Sequence, residues 1–302
     1  MSNTIKVIIN FFIFVMVAGF IVYIIKSVNK DKTTFVETDT VNTFISYYSK
    51  VNTIELEDTI EAFAVLNKDI FVLHNDNILK YNSKGIKELS FKTKPEVRDI
   101  HLYDNKIFVL YSKMIEVYSL KGDSVFGWNA CSDLSDYCAF TIVENFVFVT
   151  DASNKNICQY TTDGNFVQFI NSPHDFITPS HAFDITHKND TIYCVNPGRH
   201  LIESYTLKGR FIASFGGPGT EAGFFAGCCN PAYISFNSKG DLYTSEKGSP
   251  RICRYKNGKF QEVVLNPRLL GGGYHAYEIK NIDNTLWVAN HNKIDVYRRK
   301  EN

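Results

Sequence analysis

Short apolar runs separated by polar turns recur along most of the chain. One phrase repeats: an apolar strand, a polar turn, a second strand, and a turn that ends in glycine or a charged residue. Its six copies occupy residues 69–85, 105–122, 145–164, 190–209, 240–258 and 284–302. They begin 36 to 50 residues apart, a spacing typical of four-stranded propeller blades. The pattern therefore predicts an all-β fold, a six-bladed β-propeller over residues 51–302.

The sixth copy runs to the end of the chain after its third strand and lacks an outer strand. The segment Val51–Glu57 (VNTIELE) precedes the first copy and has the pattern of a strand. Because an open sheet edge invites aggregation, we expect this segment to complete the last blade. After residue 50 no sustained 3.6-residue period occurs, which makes a helical solenoid a poor alternative.

The first 50 residues have a different composition. Val7–Ile25 holds no charged residue over 19 positions, enough for a helix to cross a hydrocarbon layer of about 30 Å. We therefore predict a single-pass transmembrane anchor over residues 1–30, a polar tether over 31–50, and membrane contact through residues 7–25. A cleaved signal peptide is the alternative, although no small-residue cleavage site follows. The flanking lysines weakly favour a cytoplasmic propeller.

The composition of the chain limits the classes of partner that the protein is expected to bind. The 32 basic and 32 acidic residues cancel, so no charge imbalance points to nucleic acid. The chain is 44% hydrophobic and 14% aromatic, which supports a large core built from strands. Seven cysteines leave the redox compartment open.

Six short segments precede the first strands of the blades and align on a small-aromatic pair. They read Glu61-Ala62-Phe63, Arg98-Asp99-Ile100, Cys138-Ala139-Phe140, His181-Ala182-Phe183, Pro231-Ala232-Tyr233 and His275-Ala276-Tyr277. First strands line a propeller's channel, so we predict that Glu61, Arg98, His181 and His275 surround one mouth. Cys228 and Cys229 lie just before the fifth segment and join this ligand-binding prediction.

Three interpretations of this mouth remain open. In the first interpretation, the charged and polar residues simply face a water-filled opening, and the cysteines are small buried side chains. Alternatively, His181, His275 and Cys138, with one of the adjacent cysteines, bind zinc or copper. A third interpretation is thiol chemistry at Cys228 and Cys229, as a strained vicinal disulfide or as a thiolate favoured by nearby basic residues. Those basic residues are Arg199, His200 and Lys247.

Two turns and the other cysteines complete the candidates. Residues 196–200 (NPGRH) form a turn whose Arg199 and His200 suit a carboxylate or phosphate, although such turns are usually just solvated. Residues 244–251 (TSEKGSPR) form the matching turn of the next blade, where Arg251 is expected to brace the blades. Cys131 and Cys138 could close a small disulfide loop. Three further cysteines fall in predicted strands and should be buried: Cys158, Cys194 and Cys253.

Residues 196–264 carry a resemblance to the NHL repeat, with NPGRH, GCCNP and TSEKG matching a group of bacterial NHL-type propellers. The resemblance implies the propeller fold and, since anchored relatives commonly face outward, a periplasmic or otherwise extracytoplasmic position at the cytoplasmic membrane. It also makes channel zinc and a vicinal disulfide reasonable, because other propellers have them. NHL-type propellers act both as scaffolds and as enzymes. We therefore expect a binding scaffold for a small molecule or protein, with a metal- or thiol-dependent lyase or oxidoreductase as the alternative.

Overall fold

The computed structural model describes residues 16–20 and 44–300. Residues 16–20 are helical, and no helix within these two ranges is long and apolar enough to cross a membrane. Most of the predicted anchor, 7–25, and most of the predicted tether, 31–50, lie outside the described residues. Residues 46–302 form one compact unit.

That unit consists of six four-stranded antiparallel sheets, which confirms the six-bladed β-propeller. The innermost strands of the blades are β2 (Ala62–Leu66), β6 (Val97–Tyr103), β10 (Tyr137–Val143), β14 (Ile185–Lys188), β18 (Tyr233–Phe236) and β22 (Ile279–Ile282). The second strands are β3 (Asp69–His74), β7 (Lys106–Tyr111), β11 (Phe146–Asp151), β15 (Thr191–Asn196), β19 (Asp241–Glu246) and β23 (Thr285–Asn290).

The third and outer strands finish each blade. The third strands are β4 (Asn77–Tyr81), β8 (Met114–Ser119), β12 (Asn156–Thr161), β16 (Leu201–Thr206), β20 (Arg251–Lys256) and β24 (Lys293–Arg299). The outer strands are β5 (Lys87–Lys92), β9 (Ser124–Asn129), β13 (Phe166–Ile170), β17 (Phe211–Gly216), β21 (Lys259–Leu265) and β1 (Tyr48–Glu55). Two short 3-10 helices, Pro179–His181 and Pro197–Arg199, interrupt the connections.

Tight turns between the first and second strands set the register of the blades. Asn67 and Lys68 join β2 to β3 with positive φ, and Asp283 and Asn284 do the same between β22 and β23. Asn and Asp tolerate this left-handed backbone better than most residues, and it matches the twist of a two-residue hairpin. Each such turn therefore fixes the register in which the first and second strands of the blade pair.

The core lies between the blades. Each second strand carries a fully or nearly fully buried side chain at the same position: Val72, Val109, Val149, Cys194, Thr244 and Val288. Their partners on the first strands are also buried: Phe63, Ile100, Phe140, Ile185, Ile234 and Ile279. The three cysteines predicted in strands, Cys158, Cys194 and Cys253, are buried as expected.

The ring closes through the N-terminal strand. β1 pairs with β24 from Tyr48 opposite Arg299 to Glu55 opposite Lys293, which confirms that the segment near Val51–Glu57 completes the sixth blade. Ile54 is buried in this strand. The hydroxyls of Tyr48 and Tyr243 lie 2.5 Å apart and join the closing strand to the fifth blade. The closure thus joins parts of the chain far apart in sequence.

Candidate functional site

A cavity of about 400 Å³ lies on the channel axis and takes residues from all six blades. Its wall includes one residue from the same position of each blade: Ala62, Asp99, Ala139, Asp184, Tyr233 and Glu278. Alternate blades therefore contribute a carboxylate, and the blades between them contribute an alanine or a tyrosine. Groups scattered over more than 200 positions of the sequence meet around one axis.

Five residues predicted at the mouth line this cavity: Glu61, Arg98, Cys138, His181 and His275. Lys247, from the turn between β19 and β20, lines it too. Four other predicted ligand-binding residues do not belong to the cavity wall: Arg199, His200, Cys228 and Cys229. The ring geometry therefore gathers one part of the predicted site and leaves the other outside it.

One carboxylate organises the mouth. Asp136, in the loop before β10, accepts a hydrogen bond from His181 Nε2 at 2.5 Å and another from Arg98 Nη2 at 3.2 Å. The backbone N–H of Asp136 is held in turn by the buried carboxylate of Asp151, at 3.0 Å. A neutral imidazole that donates through Nε2 presents Nδ1 as an acceptor. Side-chain groups ordered in this way can bind a ligand or move a proton.

The zinc or copper site predicted at His181, His275 and Cys138 stays a prediction. No group of three or more His, Cys, Asp and Glu side chains within residues 16–20 and 44–300 is placed to hold a metal ion. His181, His275 and Cys138 share the cavity wall, but His181 Nε2 is taken by Asp136. Burial raises the pKa of Cys138 to about 12, and its thiol donates to the Asp136 carbonyl oxygen at 3.5 Å.

The adjacent cysteines occupy the loop before β18. Cys228 is exposed, Cys229 is buried, and their sulfurs lie 3.3 Å apart, against about 2.05 Å in a disulfide. The hydrogen bond with Cys229, and then its charge, raise the pKa of Cys228 more than nearby Lys247 lowers it. The neighbouring thiol of Cys229 thus raises the pKa of Cys228 against the effect of the Lys247 ammonium, and the predicted thiolate stays a prediction.

Arg199 lies at a separate depression beside His174 and Asp175, and His200 follows it at the end of the short 3-10 helix. Arg199 donates through Nε to the His174 carbonyl oxygen at 2.8 Å, and its Nη2 lies 3.8 Å from the Asp175 carboxylate. These contacts hold the guanidinium over its own blade, so neither Arg199 nor His200 contributes to the channel.

The predicted bracing role of Arg251 is confirmed. Its guanidinium pairs with the buried Glu246 and donates to the backbone carbonyls of Thr220, Glu221 and Phe224. These carbonyls belong to the glycine-rich connection from β17 to β18, which also carries the adjacent cysteines. Arg251 thus fixes one of the long loops beside the mouth.

The carboxylates of the cavity wall were missed from sequence. Asp184 accepts the backbone N–H of Ile234 at 2.7 Å, and Glu278 accepts that of Phe63 at 3.2 Å. Asp99 accepts the backbone N–H of Phe140 in the same way. Each carboxylate of the alternate blades therefore both faces the cavity and links its blade to the next one.

Lys280 supplies a positive charge beside the three carboxylates of the cavity wall. Its ammonium lies 3.0 Å from the Glu278 carboxylate. Burial works against the charged ammonium, but the charges of Glu278, Asp99 and Asp184 outweigh it and raise the pKa of Lys280. Burial raises the pKa of Asp184 and of Glu278 to about 7, only partly offset by Lys280. Three carboxylates facing one ammonium therefore hold more negative charge than the site can balance.

A usable signal for these residues lay in the turns. In five of the six blades the buried first-strand residue precedes the first turn residue by four positions, as Phe63 precedes Asn67 and Ile279 precedes Asp283. The sequence alignment on small-aromatic pairs is correct for the first three blades. It is wrong by two residues in the fourth and sixth blades and by one residue in the fifth, since the true equivalents are Asp184, Glu278 and Tyr233.

Comparison with known proteins establishes the fold. No family model matches the sequence, and no curated protein matches it either. Among solved structures, a catalytically inactive variant of virginiamycin B lyase from Staphylococcus aureus, determined with quinupristin, is 16% identical, with a TM-score of 0.60 over 83% of this chain and 99% of that chain. A streptogramin B lyase is 14% identical, with a TM-score of 0.56 over 83% of this chain and 97% of that one.

A protein of unknown function from Bacteroides caccae is 12% identical, with a TM-score of 0.54 over 76% of this chain and 81% of that chain. At these identities the likeness shows the six-bladed propeller and nothing finer. The NHL-type assignment of the repeats stays a prediction.

Proposed function

We propose that this chain is a binding propeller whose central cavity takes a small polar molecule by its cationic group, an amine or a guanidine. One observation carries the proposal: Asp99, Asp184 and Glu278 face one cavity that holds a single close ammonium, Lys280. The excess negative charge is relieved either by protons or by a bound cation. A cavity of about 400 Å³ is in the range of small-molecule sites, which run from roughly 300 to 1,000 Å³.

The rim supplies the other half of the recognition. Arg98, Lys247 and His275 line the cavity near its mouth, where they suit a polar or anionic end of the same ligand. Arg98 is partly neutralised by Asp136, whereas the deeper wall is rich in carboxylates. The ligand therefore enters with its cationic group first.

The test uses matched ligands on the full-length protein. We expect L-arginine and L-lysine to raise the Tm and to bind at least about tenfold more tightly than L-citrulline and L-norleucine, which lack the charge. Asp184→Asn and Glu278→Gln should each weaken binding at least about tenfold. Asp163→Asn, at an exposed turn, is the matched control. Equal affinity for charged and neutral ligands, or binding unchanged by both variants, would refute the proposal.

A second function is favoured by the Asp136–His181 pair, namely acid–base catalysis of a lyase type at the same cavity. An imidazole oriented by a carboxylate is a common general base, and two solved structures of similar fold are lyases. The test incubates the full-length chain with quinupristin. Conversion that is lost in His181→Asn would support the lyase function. If quinupristin is not converted, this lyase function is rejected and the binding function stays as the proposal.

We also propose that residues 7–25 anchor the chain in the cytoplasmic membrane with the propeller on the outer side. The 19-residue uncharged segment supports this. Deleting residues 7–25 should move the protein from the membrane to the soluble fraction. In intact cells an impermeant maleimide should label the exposed Cys228. Labelling only after lysis would place the propeller on the cytoplasmic side.

A further inference from the structure

Cys131 and Cys158 form a thiol pair that the sequence does not suggest. Their sulfurs lie 3.8 Å apart, although the residues are 27 positions apart in the chain. Cys131 is exposed in the loop between β9 and β10, whereas Cys158 is buried in the middle of β12. The two sulfurs must approach each other by less than 2 Å to reach the bonding distance of about 2.05 Å.

The pairing differs from the one predicted. We expected Cys131 to bond with Cys138, but the Cys138 thiol points to the Asp136 carbonyl oxygen, 3.5 Å away. The Tyr160 hydroxyl accepts the Cys131 backbone N–H at 3.0 Å and thereby holds Cys131 beside β12. Cys158 lies two residues before Tyr160 on that strand, so one hydrogen bond positions the two sulfurs.

The pair has the arrangement of an attacking and a resolving thiol. An exposed thiol meets a dissolved oxidant first, and a buried thiol behind it completes the bond. The neighbouring cysteines Cys228 and Cys229 have closer sulfurs, but adjacent residues can bond only through a strained eight-membered ring. Among these pairs, Cys131 and Cys158 therefore offer the less strained closure.

We propose that Cys131 and Cys158 are a redox modification site that forms an intramolecular disulfide with a low-molecular-weight disulfide as oxidant. The Cys131 thiolate attacks one sulfur of the oxidant, forms a mixed disulfide and releases one small thiolate. The Cys158 sulfur then attacks the Cys131 sulfur, its proton passes to the second leaving thiolate, and the protein disulfide forms. Two electrons pass from the protein to the oxidant, which leaves as two thiols.

The bond acts on the mouth of the central cavity. Residues 131–136 form the loop that ends in Asp136, and Asp136 holds His181 and Arg98. Hydrogen bonds hold this loop at present, from the Cys131 N–H to Tyr160 at its start to the Asp136 N–H to Asp151 at its end, and none of them is covalent. A covalent link at Cys131 ties the start of the loop to β12, so oxidation restrains the carboxylate that orders the mouth.

The test treats the full-length protein with oxidised glutathione, alkylates the remaining thiols, and maps the peptides by mass spectrometry. We expect one cross-linked product that joins Cys131 to Cys158. Oxidation should raise the Tm by roughly 5 °C or more, because the bond closes a loop of nearly 30 residues, and added reductant should reverse the rise. Amide hydrogens of residues 132–136 should exchange about tenfold more slowly after oxidation.

Two variants separate this site from the other cysteines. Cys131→Ser changes an exposed residue and should lose the cross-link, the Tm rise and the slower exchange. Cys228→Ser, at another exposed cysteine, is the matched control and should keep all three. A link to Cys138, a stable glutathione adduct on Cys131, or full alkylation of both thiols after oxidation would overturn the proposal. A cross-link without slower exchange of residues 132–136 would overturn its effect on the mouth.

Discussion

The carboxylate of Asp184 on β14 accepts a hydrogen bond from the backbone N–H of Ile234 on β18, 2.7 Å away. One side chain therefore faces the cavity and also fastens the fourth blade to the fifth. In Asp184→Asn the amide oxygen can keep the hydrogen bond to Ile234 while the charge is removed, although the second carboxylate oxygen, which accepts the Ile185 N–H, is replaced by a donor. This makes Asp184 a position where charge and structure can be tested separately.

Asp184→Asn should change the pH dependence of stability. Burial raises the pKa of Asp184 from 3.8 to about 7, so the folded wild type binds more protons than the unfolded chain between these values. The protonated Asp184 carboxyl contributes fully to the free energy of unfolding below pH 4, and this contribution is lost as the pH rises through about 7. The variant should therefore gain stability relative to wild type over this range, on the order of 2 kcal/mol after allowing for water in the channel.

Chemical denaturation of both proteins at pH 4.5, 6 and 8 measures this gain. Asp163→Asn, at an exposed turn, serves as the control and should follow the wild type. A constant difference between Asp184→Asn and wild type at all three pH values would show that the carboxyl titrates normally.

The closing strand should tolerate change on one face only. Ile54 is buried in β1, whereas Val51 on the same strand is exposed. Ile54→Ala should cost about 3 kcal/mol, which corresponds to a Tm loss of roughly 5 to 12 °C. Val51→Ala should stay within about 0.5 kcal/mol of wild type. Thermal unfolding followed by circular dichroism compares the two.

A larger change extends the same prediction. Deleting residues 51–57 should destabilise the propeller far more than deleting residues 31–43, because it leaves β24 without its partner. Similar melting temperatures for the two deletions would mean that the pairing of β1 with β24 contributes little.

Arg251→Ala should loosen the glycine-rich connection before β18. The change leaves the buried Glu246 carboxylate without its guanidinium and releases three backbone carbonyls, at a cost of about 3–5 kcal/mol. Adding Glu246→Gln should recover part of this loss, since it removes the unpaired charge. Arg210→Ala, on an exposed turn, is the control. Denaturant unfolding measures all three, and an Arg251→Ala protein as stable as the control would disprove the bracing role.

Alkylation should distinguish Cys228 from Cys229. Cys228 is exposed and Cys229 is 6% exposed, so iodoacetamide should modify Cys228 first, at least about tenfold faster. Mass spectrometry of the protein as purified, without reductant, over a time course gives both rates. If neither residue reacts until reductant is added, the two are joined by the vicinal disulfide and the reduced pair is not the resting state.

The fold was predictable because its signals are local. Apolar runs, turns and their spacing identified six blades, and the unpaired edge of the last blade identified its missing strand near Val51–Glu57. The cavity wall was harder. A shift of two residues preserves the alternation of inward and outward side chains, so the periodicity cannot expose it. Because the alternation fits both registers, the small-aromatic pairs Ala182-Phe183 and Ala276-Tyr277 were aligned in place of the segments that contain Asp184 and Glu278.

Contacts between segments that are distant in the chain could not be predicted from the sequence pattern. Nothing in the spacing relates Asp136 to His181, or Cys131 to Cys158, because each pair is brought together by the packing of one blade against the next loop. The turn at Arg199 was placed correctly between β15 and β16, but the direction of its side chain depends on the His174 carbonyl oxygen.

The pairing of β1 with β24 also has a consequence for biosynthesis. The bond between Lys50 and Asp295 joins residues 245 positions apart. At about 5–20 residues per second, a ribosome needs roughly 12 to 50 s to travel that distance. Throughout that interval the backbone hydrogen-bonding groups of β1 have no partner strand, and Tyr48 and Ile54 lack the neighbours that bury them. A premature stop before Lys293 would leave that strand unpaired for the lifetime of the product.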